Sequence, residues 1–370
     1  MERDSAQSGA VRGVSKALWK SVFRSFLSIV KLNPWSWLGK YDFFGIQTGK
    51  DSEPVFLHFH ESYSSANPGL SMVFGWNGEA LFRHVVAGGE DHQIMRSYEI
   101  PLVRVFMRPF GEITEAEKEI FEASGCEPDA AGRVPVFVCY KPGWMPWILD
   151  EGDAEYCSAV LNQALGVLLR AETDKTIVSR ENPGEVWVHS FDEETASWQG
   201  VWEPLRPLKD FVPGPKAALS AALVEKVNAL PVGYDSVEAD IDIVPKIALV
   251  NADVVKKAAG GRIPLGYLLA VADAATGACI GNCVFYPCND LSQMWDSVPA
   301  AIFKFFLATG RRPKEIAVSS FATMGFLRKI QTQVRFKLTF HSKLPKADAL
   351  IEKTRVLVDE ALKGSGYDKL

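Results

Sequence analysis

The sequence predicts an α+β protein of two mixed α/β domains, and three observations carry that expectation. Its 370 residues, 47% hydrophobic and 23% charged, suffice for two globular cores of ordinary size. Both halves combine strand patterns, several arranged as hairpins, with amphipathic helix stripes. Between them Pro204, Pro207, Pro213, Gly214 and Pro215 mark a stiff linker. The expected division is an N-terminal domain at 16–205, a proline-rich linker with a short helix at 206–235, and a C-terminal domain at 236–365.

The first helix is predicted from the stripe Trp19, Val22, Phe23, Phe26 and Val30. A hairpin follows, Phe43 to Gln47 and Pro54 to His60 around Gly49-Lys-Asp51. Leu70 to Trp76 is a third strand, and Asn77-Gly78 turns the chain into a helix from Glu79 to Ala87. Pro101 to Met107 is another strand. Thr114-x-x-Glu117 is a capping box for a helix that stops at Gly125. The apolar run Val136 to Tyr140 reads as a buried strand. Pro142-Gly143 is a turn pair, and Pro146 keeps Met145 extended. Asp150 caps a long helix with Ala154, Cys157, Leu161 and Leu168 on its core face. Glu185 to Phe191 and Ser197 to Trp202 form a hairpin tipped by Asp192-Glu-Glu194.

Beyond the linker, Lys216 to Leu230 is a short helix. Val237, Ala239, Ile241 and Ile243 alternate with Glu238, Asp240 and Asp242, the pattern of a strand buried on one side. Leu265 to Asp273 and Ala278 to Tyr286 form a hairpin through Ala274-Ala-Thr-Gly277. A helix from about Asp290 to Thr309 contains Pro299, where a kink is expected. Glu315 to Ser319 and Val334 to Phe340 are strands, separated by a helix at Phe321 to Gln331. Pro345 to Lys363 is the last helix.

Two motifs carry a resemblance. Leu32-Asn-Pro-Trp35-Ser-Trp37, followed by Phe43-Phe-Gly-Ile46, and Pro142-Gly-Trp-Met-Pro-Trp147 resemble an uncharacterised bacterial two-domain family with Leu-x-Pro-Trp-x-Trp and Pro-Gly-x-x-Pro-Trp signatures. The resemblance covers most of 16–205 and more loosely 236–365; it supports boundaries and supplies no catalytic residues. In the C-terminal half the order hairpin, helix, strand, helix, strand, helix resembles a ribonuclease H-like domain. Val271-x-Asp273-x-x-Thr-Gly277 and Arg312-Pro-x-x-Ile-x-Val318 carry that likeness.

Enzymes of that fold hold two metal ions on strand-end carboxylates. Asp273 is the candidate for the first position, but Ser319 or Ser320 stands where a second acid is needed. Asp273 is therefore expected to start the hairpin turn, and the domain to be degenerate. Asp296, Asp348 and Glu352 on helices are the remaining acids that could contribute.

Trp144 and Trp147 are expected to seal one end of the core; the sharper alternative is an aromatic platform for a ligand. His58 and His60 share a strand face ~6.6 Å apart, close enough for one metal. A third ligand from His84, His92 or a carboxylate is not identified. Cys279, Cys283 and Cys288 invite a zinc reading, but residues four apart on a strand, as Cys279 and Cys283 are, stand ~13 Å apart, too far for one zinc at ~2.3 Å per thiolate, and buried free cysteines are expected instead. The glycine pairs Gly88-Gly89 and Gly260-Gly261 lack the flanking pattern of a phosphate loop, so no cofactor is predicted.

The formal net charge of −5 excludes a bulk polycation for nucleic acid. Locally, Lys304 to Lys346 holds ten bases against one acid, Glu315, with Arg335 and Lys337 on one strand face. These bases are either a solvated surface or a phosphate-binding one. The N-terminal stretch from Ser5 to Tyr41 has six bases and no acid. A basic amphipathic segment here could lie on a membrane or be a transit peptide; it is read as a folded first helix because Trp19, Val22, Phe23, Phe26 and Val30 give one apolar stripe, it has no signal-peptide layout, and no run approaches a membrane span. Six sparsely spaced cysteines suit a reducing cytoplasm. The functional expectation is a non-catalytic binding or accessory protein with a protein partner. The alternative is a nucleic-acid-binding or metal-dependent nuclease-like protein using the C-terminal domain.

Overall fold

The computed structural model describes residues 13–39, 42–61, 68–87, 98–178, 182–207, 219–257, 262–287 and 291–364. Arg12, Lys40, the glycine pairs, His92, Pro213 to Pro215, the start of the Lys216 helix, Cys288 and Asp290 lie outside them. The chain divides into two compact units. The first takes Met1–Pro142, Pro146–Lys209 and Ala259–Arg262; the second takes Gly143–Met145, Asp210–Ala258 and Ile263–Leu370. Both mix helix and sheet, so the protein is α+β. Among the described residues, no helix is long and apolar enough to cross a membrane.

The first unit is a seven-stranded mixed sheet. Its strands are β1 (Phe43–Gln47), β2 (Val55–Glu61), β3 (Pro68–Phe74), β4 (Leu102–Pro109), β5 (Arg133–Tyr140), β6 (Glu185–Asp192) and β7 (Ser197–Pro204), in the order β5-β4-β3-β2-β1-β6-β7. Only β1 and β6 are parallel, with Gly45 opposite Val188. Three helices, α1 (Lys16–Leu32), α3 (Glu115–Ser124) and α4 (Glu151–Thr173), share one hydrophobic cluster with the strands. Another helix, α2 (Gly75–Ala87), builds a second cluster with Phe43, Phe56 and Val188.

Local signals set the helix ends. Thr114 and Glu117 form the capping box of α3, and Asp150 and Asp153 form that of α4. Ser25 donates to Asn162 Oδ1 at 2.7 Å, tying α1 to α4 through a buried hydroxyl. Asn33 ends α1 in a left-handed conformation, and Trp35 then donates its indole N–H to Gly69 O at 2.9 Å. The Leu-Asn-Pro-Trp motif thus stops a helix and fastens the chain to β3. Helix α2 begins four residues before the expected Glu79. The Glu53 carboxylate accepts the Trp76 N–H at 3.2 Å, a partner for a helix N-terminus that adjacent sequence does not reveal.

The second unit holds α5 (Ala221–Asn228), β8 (Val232–Val244), α6 (Ala252–Lys257), β9 (Gly266–Asp273), β10 (Cys279–Phe285) and α7 (Leu291–Thr309). They are followed by β11 (Arg312–Val318), α8 (Phe321–Ile330), β12 (Lys337–Phe340) and α9 (Pro345–Leu362). The sheet order is β10-β9-β8-β11-β12. Strands β8, β9 and β10 form an antiparallel meander, whereas β11 runs parallel to β8 and β12. Pro299 is buried inside α7, which continues through it to Thr309.

The one-side-buried strand expected at Val237 to Ile243 needs correction, because Glu238 and Asp240 are buried too. Strand β8 is central and is covered on both faces. Its even-numbered residues lie level with Leu268 and Ala270, which pack on Ile351 and Val358 of α9. Its odd-numbered face continues into Tyr267, whose ring meets Trp295 of α7 edge-on at 5.3 Å.

Candidate functional site

The densest polar chemistry in the second unit is a row of acids on β8. A strand's period of two puts Glu238, Asp240 and Asp242 on one face, and β11 and α9 supply their surroundings. Asp240 is 5% exposed. Its carboxylate accepts the Ser319 hydroxyl, the Ser319 N–H at 3.2 Å, the Thr323 hydroxyl at 2.9 Å and the Ile241 N–H at 2.9 Å. Ser319 follows the end of β11, and Ser320 caps α8 by accepting the Thr323 N–H at 3.1 Å. Burial raises the Asp240 pKa above the ordinary carboxylate value, against the lowering effect of these hydrogen bonds.

Glu238 does a different job. Helix α9 begins with Pro345 behind Leu344, whose side chain cannot cap. Glu238 Oε2 accepts the N–H groups of Lys346 at 2.7 Å and Ala347 at 2.9 Å. A carboxylate reaching over from β8 thus satisfies the first free donors of α9 and meets the positive end of its dipole. Asp242 pairs with Arg355 of α9 at 2.6 Å. Burial raises its pKa, and the Arg355 charge pulls the other way. Asp348, on α9, is also raised, first by burial and then by the charges of Glu238 and Asp242. Glu352 pairs with Arg355 at 3.3 Å. Among the described residues, no group of three or more His, Cys, Asp or Glu side chains is placed to hold a metal ion.

Asp273 stands at the end of β9, not on the strand beside β11. Its Oδ1 accepts the Ala275 N–H at 2.9 Å, and its carbonyl accepts the Gly277 N–H at 2.8 Å. Those bonds shape the hairpin turn. The strand-end serines face Asp240, which sequence reasoning missed because Asp240 sits within an alternating strand pattern. The signal that could have found it is that three acids recur at period two in one apolar strand.

The basic stretch is partly neutralised within its own unit. Lys337 pairs with Glu315 at 2.9 Å, and Lys314 pairs with Asp235 at 2.6 Å. Arg312 donates to the carbonyls of Leu230 at 3.1 Å and Arg335 at 2.9 Å. The side chains of Arg335 and Lys337 are both exposed, and Arg335 precedes the strand that contains Lys337.

In the first unit, Trp147 is 7% exposed within the main cluster and exchanges backbone hydrogen bonds with Cys139 at 2.7 and 3.0 Å. Trp144 is half-buried and groups with the second unit, where it bridges to Pro264. The turn before it needs Gly143, whose φ is +88°. Asp150 and Asp153 bind Lys141 at 2.8 and 3.0 Å, and Asp153 also binds Arg262 at 2.8 Å. His58 and His60 do share a face, but each is engaged separately. His58 stacks on Phe43 at 4.3 Å and lies 3.9 Å from Glu79, whereas His60 meets the Ser71 hydroxyl at 2.8 Å. The buried Glu79 is held by Arg83 at 2.7 Å. His189, which the sequence did not single out, lies stacked against Trp187 and Trp198 with ring centres 5.3 and 4.9 Å away. Burial and the Arg170 charge lower its pKa to about 4.

Fold and site together define a two-unit α+β protein whose central acids are tied into its own hydrogen-bond network. Residues 19–189 match the family described as Domain of unknown function (DUF7309), a span that contains both tryptophan motifs. No curated protein and no solved structure matches the chain.

Proposed function

We propose that the protein is a non-catalytic binding or accessory protein of the cytoplasm, with a degenerate ribonuclease H-like second unit and a protein as its partner. The sheet order, an antiparallel meander followed by two parallel strands joined through helices, supports the ribonuclease H-like reading. One observation carries the non-catalytic reading: every acid on β8 has a structural donor. Glu238 caps α9, Asp240 gathers Ser319 and Thr323, and Asp242 pairs with Arg355. Two divalent ions need several carboxylates free to neutralise them. A serine hydroxyl at the end of β11, itself donating to Asp240, offers no such charge. Neutralisation of Lys314 and Lys337 favours a protein partner over nucleic acid. The five cysteines among the described residues are free of disulfides, which fits a reducing compartment.

The test is incubation of the full-length protein with single- and double-stranded DNA and RNA in Mg²⁺ or Mn²⁺. Asp240→Asn and Asp273→Ala serve as controls. The expected result is intact nucleic acid throughout. Cleavage that disappears in either control overturns the non-catalytic reading.

A further inference from the structure

Strand β4 carries an arginine on the sheet face where α2 packs. Val103 and Val105 point into the main cluster, so Leu102, Arg104 and Phe106 turn to the other side. Leu102 there belongs to the cluster built by α2, with Tyr140 packed against it. In register Arg104 lies between Ser71 of β3 and Val138 of β5. Ser71 is fully buried, and its hydroxyl meets His60 Nε2 at 2.8 Å. Neither cross-strand neighbour brings Arg104 a negative charge.

A guanidinium taken partly out of water normally acquires a carboxylate. The other half-buried arginines described in the first unit each have one: Arg83 has Glu79 at 2.7 Å, Arg133 has Asp129 at 2.8 Å and Arg262 has Asp153 at 2.8 Å. Arg104 is half-buried like them, yet among the described residues no carboxylate pairs with it. Its Nε is buried and has no hydrogen-bond partner. Its contact is aromatic instead. The guanidinium carbon lies 5.3 Å from the centre of the Tyr140 ring, and the Tyr98 ring stands 6.2 Å from that ring. Such a cation–π contact leaves the fork of N–H donors unspent.

We propose that Arg104, with the hydroxyls of Tyr98 and Tyr140, forms a binding site for a phosphate group. The three side chains bring a fixed positive charge and hydroxyl donors, and no anion. Burial and then the neighbouring Tyr140 raise the Tyr98 pKa above the ordinary phenol value, against the Arg104 charge, so its hydroxyl is protonated at neutral pH. A carboxylate gives both oxygens to an arginine fork, whereas a phosphate keeps oxygens for the hydroxyls as well. All three residues are half-buried, so the site is open to solvent on one side. One half-buried guanidinium suits a single phosphate and not a nucleic-acid backbone, which takes several bases. The site is independent of the acids on β8.

Isothermal titration of the full-length protein near neutral pH, with inorganic phosphate, phenyl phosphate and acetate at matched ionic strength, reads the binding. Saturable binding of phosphate is expected, and none of acetate. Tighter binding of phenyl phosphate would make a phosphate ester the natural source, and equal binding free phosphate. Arg104→Gln should weaken the affinity by about tenfold or more. Tyr98→Phe with Tyr140→Phe keeps both rings, removes only the hydroxyls, and should weaken it about tenfold. Arg335→Glu with Lys337→Glu should leave it unchanged. A wild type that binds neither phosphate overturns the proposal, as does acetate bound equally well. So does an affinity that the double phenylalanine variant leaves intact, or one lost with Arg335 and Lys337.

Discussion

Replacing Asp240 by alanine removes the acceptor on which four donors converge. Two of them, the hydroxyls of Ser319 and Thr323, can rotate; Ser320 Oγ already stands 2.7 Å from Thr323 Oγ1. The other two, the N–H groups of Ser319 and Ile241, are fixed by β11 and β8. Each buried donor left without a partner costs about 1–3 kcal/mol. Relief from holding a buried carboxylate offsets part of this, leaving an expected loss of about 2–4 kcal/mol. Asparagine keeps one carbonyl acceptor for Thr323 and Ile241 and carries no charge to desolvate, but its amide cannot accept the Ser319 N–H, so Asp240→Asn should cost about 1–2 kcal/mol, less than alanine. Hydrogen exchange of peptides from β8 and the β11–α8 junction gives a readout confined to this region. Protection there should fall most in the alanine variant and less in the asparagine one. An alanine variant as protected as the wild type would remove Asp240 from the organisation of this unit. Equal loss in both variants would mean that the negative charge itself is needed.

Three further outcomes follow from other contacts. Trp147→Ala should lower stability by about 3–5 kcal/mol, read as a large drop in the first unit's melting temperature; an unchanged transition would take the ring out of the core. His189 has a depressed pKa, so the unfolded chain binds its proton more readily and stability falls as pH drops from about 6.5 toward about 4. His189→Gln should flatten that limb in pH-dependent urea unfolding, whereas Asp240, raised rather than lowered, contributes the opposite slope and loses stability as pH rises through its folded value. Fluorescence anisotropy with DNA and RNA at low salt should show no binding; salt-sensitive binding abolished by Arg335→Glu with Lys337→Glu would make the basic stretch a nucleic-acid surface.

What the sequence made legible was local. The Thr114 and Asp150 caps and the Asp273 turn depend on residues two or three apart, and each stands where its pattern placed it. The hairpin strands of the first unit were equally readable. The acid row was not, because alternation marks two faces of a strand and cannot say whether the polar face meets water or a helix. Here α9 covers it, and the partner of Asp240 is Ser319, 79 residues away. The early start of α2 depends in the same way on Glu53, 23 residues upstream. The serine at the end of β11 reads in sequence as a missing acid to accompany Asp273, but the strand beside β11 is β8, because sheet order is not written in element order alone.

Isothermal titration with Mn²⁺ tests the structural assignment of the β8 acids most directly, since a manganese ion binds oxygen ligands and would have to displace Ser319, the α9 N-terminus or Arg355 to use them. The wild type, Asp240→Asn and Glu238→Gln should all give only dilution heats, with Glu238→Gln loosening the start of α9. Saturable Mn²⁺ binding to the wild type that both substitutions abolish would contradict the account and make the row a metal site.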